Sequence, residues 1–224
     1  MTPNPSSILA DFYDIQAKTD NYIDYYKTVP FYSKGKEFLA RAIRDGVWTR
    51  VLDVACGSGH LASDLPETVD LVGIDISPEM IGKARALCPI GRYFVHDFHI
   101  PLPESEERFD IVFASGAFDL CNDIVGALSA LNRSLKDDGL FYFTVLERRE
   151  NTPYNRDREI NARPDHPDPI RLHFFSFQEV SEALAQIGLV PLSYRYAAGW
   201  KSRILRANFD YGYWIATRPE GLSD

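Results

Sequence analysis

Five apolar, β-rich runs recur through the middle of the chain, at Arg50–Ala55, Asp70–Ile74, Arg92–Val95, Phe109–Ala114 and Leu140–Leu146. Helix-compatible stretches separate them. The clearest are Ser77–Leu87, with Ser77 as N-cap and Pro78 at the first helical position, and Ile124–Leu135. Strand and helix in alternation predict a parallel sheet covered on both faces. Ahead of it, residues 7–46 read as helical and aromatic, with Phe12, Tyr13, Tyr22, Tyr25, Tyr26, Phe31 and Tyr32 interrupted at Thr28-Val29-Pro30. Phe38, Leu39, Ile43 and Val47 then space as one helical face. Residues 147–173 are polar and broken by prolines, which fits a solvated loop or a lid over a substrate. A helix over Ser176–Ile187, closed by Gly188, and strands over Leu189–Ala197 and Asn208–Ala216 complete the pattern. Residues 1–46 thus read as a helical cap and 47–224 as the main body, with 147–175 inserted as lid or substrate wall. Effectively this is one domain.

Composition narrows the partners. The 224 residues suit one domain, and 45% hydrophobic and 25% charged residues are close to the globular average. A net charge of -8 with scattered Lys and Arg disfavours a nucleic-acid substrate. No apolar run approaches the roughly 20 residues of a membrane span, and Met1-Thr2-Pro3-Asn4-Pro5 lacks the marks of a signal peptide. Cys56, Cys88 and Cys121 form neither a metal-ligand nor a disulfide pattern. The expectation is a cytoplasmic protein acting on a small molecule, with no metal; nothing specifies an oligomer.

The chemistry concentrates at Val51-Leu52-Asp53-Val54-Ala55-Cys56-Gly57-Ser58-Gly59-His60, where a hydrophobic run ends in a glycine-rich turn and Leu61-Ala62 enters what reads as a helix. Two glycines one residue apart let the backbone turn sharply and approach a ligand. Gly57 to Ala62 even satisfies G-x-G-x-x-A, so NAD and S-adenosylmethionine both fit. Asp75, at the end of the second strand, can accept hydrogen bonds from the two hydroxyls of a ribose in either cofactor. Asp97-Phe98, after the third strand, separates them: the acid can accept from the exocyclic amine of adenine while the ring walls it.

These elements together resemble the class I S-adenosylmethionine-dependent methyltransferases over about residues 48 to 190. Asp53-x-Ala55-Cys56-Gly57-x-Gly59 matches the first motif and Gly73-x-Asp75-x-Ser77-x-x-Met80 the second. Asp97-Phe98 matches the third; Phe109-Asp110 through Ser115 and Leu131 through Leu140 match the remainder. Ala55 departs from the glycine that many members carry. The resemblance implies a Rossmann-like, doubly wound, seven-stranded, mostly parallel sheet with the last strand antiparallel, plus the N-terminal helical cap. It implies S-adenosylmethionine as methyl donor and S-adenosylhomocysteine as product. Gly57 and Gly59 would give backbone access, with Ala55 in the same loop, and Asp53 would organise the loop or meet the donor's amino group. Asp75 would take the ribose, Ile76 and Met80 would pack on adenine, and Asp97 with Phe98 would hold it. Ala114 and Ser115 would line the methionine end. Tyr13, Tyr25 and Tyr26 are candidates to close over the sulfonium by cation–π attraction, or else simply core.

The expected reaction is transfer of a methyl group to an O, N or C atom of a small metabolite, mainly by positioning, with or without a general base. The fourth strand ends in Ala114-Ser115-Gly116-Ala117-Phe118-Asp119, without the Asn-Pro-Pro-Tyr-type signature that resembles amino-group methylation of planar groups. Candidate bases are Asp119 and His173, ahead of His96, His99 and His166. Asp119 follows the strand facing the methyl group but equally suits a helix N-cap near Asn122. Two other classes use the same features. One is a binding or regulatory protein that keeps the cofactor site without catalysis; the other is an NAD-linked oxidoreductase, which gives Asp97 no role.

Overall fold

The computed structural model describes residues 5–18, 24, 27–44, 48–104, 106, 108–149, 157–160, 169–202 and 207–219. Helix α1 (Pro5–Ala17) and helix α2 (Pro30–Ala42) form the N-terminal part, and α2 starts where Pro30 supplies a preset φ and lacks the N–H that a first helical turn leaves unbonded. Ile43 lies just past the end of α2, and Tyr22, Tyr25, Tyr26 and Val47 lie outside the described residues.

Strands β1 (Arg50–Val54), β2 (Asp70–Asp75), β3 (Arg92–Val95), β4 (Phe109–Ala114) and β5 (Leu135–Glu147) pair in parallel. The main sheet runs β3-β2-β1-β4-β5-β10-β9, where β9 spans Val190–Ser202 and β10 spans Ala207–Thr217. β10 is antiparallel to both neighbours. That is the expected seven-stranded sheet with its last strand reversed. Helices α3 (Pro78–Leu87), α4 (Ile124–Asn132) and α5 (Phe177–Gln186) form the crossovers.

The sheet separates two apolar layers. One joins α1, α2 and α3 through Phe12, Phe31, Leu39 and Ala84 to Ile111 and Phe113 of β4. The other joins α4 and α5 through Leu128 and Leu184 to Val112 and Ala114 of the same strand. Every position of β4 is buried because successive side chains enter opposite layers, both covered. Among the described residues no helix is long and apolar enough to cross a membrane.

Two expectations fail locally. Leu61-Ala62 does not enter a helix: residues 60–69 form successive turns, with Leu65 N–H bonded to the Ala62 carbonyl at 3.2 Å and Val69 N–H to that of Pro66 at 2.9 Å. Pro66 has no N–H to offer an i→i−4 ladder, and too little chain remains before β2 to restart one. The polar stretch 147–173 is also not all loop. It contains β6 (Arg158–Ile160), antiparallel to β7 (Ile170–Leu172). β8 (Phe174–Phe175) then adds two residues in parallel to the end of β5, an eighth strand on the sheet.

Candidate active site

The sheet order reverses between β1 and β4, which leaves a crevice beyond their carboxyl ends, the usual ligand position in open α/β sheets. The turn after β1 lies there. Ala55, Gly57 and Gly59 have positive φ of 53°, 53° and 79°. At Gly57 a Cβ would meet nothing within 4 Å, whereas at Gly59 it would stand 3.2 Å from Ala84 Cβ on α3. Gly57 therefore serves the open side of the loop and Gly59 the packed side. Ala55 sits in a backbone region that costs an L-residue about 1–2 kcal/mol. Ala55→Gly would relieve that strain against a glycine entropy cost of about 0.5–1 kcal/mol. We expect its Tm to rise by about 1–3 °C in a thermal melt, and a fall would show that the methyl group packs usefully.

A cleft enclosing about 900 Å³ of non-protein space opens above this loop. Its floor is Ala55, Cys56, Gly57 and Ser58; Asp75 and Ile76 enter from β2, and Asp97, Phe98 and His99 from beyond β3. Gly116, Ala117 and Leu120 close the β4 side, and Ser6, Leu9 and Tyr13 of α1 with Tyr32 of α2 form the roof. Asp75 is held from behind: its two oxygens accept from Gly57 N–H at 2.8 Å and Ser77 N–H at 2.9 Å. Burial pushes its pKa up, against those hydrogen bonds. The lone pairs left over can receive two hydroxyls. Asp97 is the opposite case. His99, through Nδ1 at 2.8 Å and its N–H at 3.0 Å, and the Ser6 hydroxyl at 2.7 Å hold its carboxylate well below the usual range. Cys121 Sγ, 3.4 Å from His99 Nε2, fixes the other edge of that imidazole.

Other sequence candidates stand behind the wall. Asp53 is 1% exposed beneath the loop, its pKa pushed up to about 8 by burial and then by Asp75, and one carboxylate oxygen has no hydrogen-bond partner. Met80 is buried on α3 itself, Ala114 is buried in the sheet, and Ser115 donates to the Phe31 carbonyl at 3.3 Å. None of these four lines the cleft, nor does Gly59.

Asp119 occupies a single 3-10 turn, Phe118–Leu120, between cleft residues Ala117 and Leu120, but neither it nor His173 lines the cleft itself. Asp119 is not the helix cap: Asp123 accepts from Gly126 N–H at 2.9 Å and caps α4 instead. One Asp119 oxygen accepts from the Tyr211 hydroxyl and the other is buried without a partner. Burial raises its pKa to about 7. His173 meets Asp119 only through the backbone, its N–H reaching the Asp119 carbonyl at 2.8 Å, while its imidazole turns to Asp157 at 3.2 Å. His96 bonds the Ile100 carbonyl at 2.8 Å, and His166 lies outside the described residues.

A model of the methyltransferase domain matches residues 51–139, the segment from β1 to the start of β5 that carries these acids. An uncharacterized protein of Methanocaldococcus jannaschii is 30% identical over 201 residues, covering 80% of this chain and 75% of the relative. The chain belongs to the class I S-adenosylmethionine-dependent methyltransferases. A malonyl-[acyl-carrier protein] O-methyltransferase of Acetivibrio thermocellus is 32% identical over 99 residues, but the match spans only 35% of that protein. Among solved structures, the 1,6-didemethyltoxoflavin-N1-methyltransferase of Burkholderia thailandensis superposes with TM-score 0.68 at 17% identity, over 98% of this chain and 92% of that one. The magnesium protoporphyrin IX methyltransferase of Synechocystis gives 0.64 at 14%, over 97% and 99%. The shared fold of this methyltransferase therefore extends well beyond the segment that sequence matching recovers.

The lining that sequence reasoning missed falls into three groups, one of them the turn after β4 with Gly116, Ala117 and Leu120. Cys56, Ser58 and His60 belong to the glycine loop itself, and mere adjacency to Gly57 was their signal. Ser6, Leu9 and Tyr32 come from the cap helices, where nothing in residue type distinguishes them from ordinary helix surface.

Proposed function

We propose that this methyltransferase moves the methyl group of S-adenosylmethionine to an O, N or C atom of a small molecule bound beside Asp119. The donor supplies an activated sulfonium methyl when bound, and S-adenosylhomocysteine is the product. Asp75 takes the ribose hydroxyls; Asp97, Phe98 and Ile76 take adenine; Ala55 and Gly57 present open backbone to the rest of the donor. Asp53, buried beneath them and outside the cleft lining, organises the loop. Tyr13 closes the roof.

The acceptor side rests on one observation, the Asp119 carboxylate. It is buried between two cleft residues, has an unbonded oxygen, and is poised near neutral pH, as a general base should be. Tyr211 orients it from one side and the His173 N–H holds its backbone from the other, so His173 acts by positioning. The insertion joins the same layer, since Ile160, Ile170, Leu172 and Phe174 are buried with Phe12, Phe31 and Tyr211. None of its described residues lines the cleft, so it backs the site from behind as part of this layer. Of the proteins named above, the two solved structures are named for a toxoflavin precursor and a porphyrin, both small molecules, and the Acetivibrio relative for a malonyl group on an acyl-carrier protein.

Incubating the protein with S-adenosylmethionine and a panel of small amines, phenols, carboxylic acids and carbon acids should yield S-adenosylhomocysteine with at least one of them. Donor binding without product across the panel would instead make this a cofactor-binding regulatory protein.

A further inference from the structure

A second, open groove lies away from the cofactor cleft on the same face of the sheet. One wall is the outer side of α2, where Lys34, Glu37, Phe38 and Arg41 recur at helical spacing. The other is Ser193 and Arg195 of β9 with Tyr213 and Ile215 of β10, which lie side by side through the pairs Ser193–Ile215 and Arg195–Tyr213. Tyr142 of β5 forms the floor, stacked on Phe38 at 4.5 Å between ring centroids, and Trp48 closes one end.

Charge in this groove runs against the protein as a whole. The chain carries a net -8, yet the groove has three cations and one carboxylate. Glu37 is taken by Arg41. Among the described residues neither Lys34 nor Arg195 has an ion pair, and the two flank one ring: Lys34 Nζ lies 5.4 Å from the Tyr213 centroid and Arg195 is Tyr213's register partner. Tyr142 and Tyr213 are themselves 4% and 7% exposed, and both hydroxyls are buried with no hydrogen-bond partner. Two uncompensated cations over an aromatic floor with unbonded hydroxyls suit a ligand with an anionic head and a flat apolar body. We infer that this groove is a second small-molecule site, for an aromatic carboxylate. The carboxylate sits between Lys34 and Arg195, and the ring system lies along Phe38, Tyr142 and Ile215.

The probe is 2-naphthoate, titrated by calorimetry into the full chain saturated with S-adenosylhomocysteine so that the cofactor cleft is filled. One bound equivalent is expected. Lys34→Ala and Arg195→Ala should each weaken binding about tenfold or more, as loss of one charge-assisted contact does. The uncharged 2-naphthamide should lose a similar factor. Both substituted residues are exposed, and unchanged S-adenosylhomocysteine affinity checks that the variants are folded. No heat from 2-naphthoate, equal affinity for the amide, or full affinity in the double variant would overturn the site.

Discussion

Asp75→Ala is expected to weaken S-adenosylhomocysteine binding by about a hundredfold or more. The carboxylate accepts from the N–H groups of Gly57 and Ser77, so it both faces the cleft and ties the glycine loop to the start of α3. Removing it leaves the buried Ser77 N–H without its acceptor, at about 1–3 kcal/mol, and the half-buried Gly57 N–H to solvent. It also deletes the acceptor proposed for the ribose, where hydrogen bonds to a charged group are worth about 1.5–3 kcal/mol. Calorimetric titration measures the loss. Asp75→Asn keeps an oxygen for one partner and should fall between the two. An alanine variant that binds with native affinity would remove Asp75 from the cofactor site.

The second large effect is on turnover. Asp119→Asn should lower kcat by about 10²–10⁴-fold, the range for loss of a general acid–base group, with little change in S-adenosylhomocysteine affinity. In the native enzyme kcat should rise with pH through about 7, since a base works only when ionised. Stability moves the other way. The folded-state pKa of Asp119 lies above its unfolded value, so the folded protein binds the extra proton between the two. Stability falls as pH rises through that window, by at most about 1.4 kcal/mol per pH unit for this group. An asparagine cannot ionise and can still accept from Tyr211. Asp119→Asn should therefore melt at higher temperature than the native protein at pH 8 while turning over far more slowly. A variant that loses stability and cofactor affinity together at pH 8 would make Asp119 a structural residue.

The sheet was legible because its strands are either fully buried, as at Phe109–Ala114, or end in a residue whose chemistry stands out, as at Asp75. Ser77-Pro78 marked the start of α3, and the Ser77 hydroxyl indeed accepts from Met80 N–H at 3.0 Å. The failures have physical causes. Arg158–Ile160 is too short and polar to read as a strand; its pairing with Ile170–Leu172 holds it extended. β5 begins at Leu135 rather than Leu140, because Lys136 to Gly139 ride a register shift against β4. At the site, the acids at strand ends announced themselves, whereas the roof did not. Ser6 reaches Asp97 across 91 residues and the Ser77 hydroxyl reaches Asp14 across 63, and no local pattern encodes a contact of that span.

Those two contacts have a practical bearing on how the protein is handled. α1 is fastened to the loop after β3 by Ser6 and to the start of α3 by Asp14, which also accepts from Glu79 N–H at 3.1 Å. Ser6 also lines the cleft, so a change at this residue alters the roof and the Asp97 carboxylate together. A purification tag or fusion partner joined tightly to α1 is therefore expected to disturb both contacts.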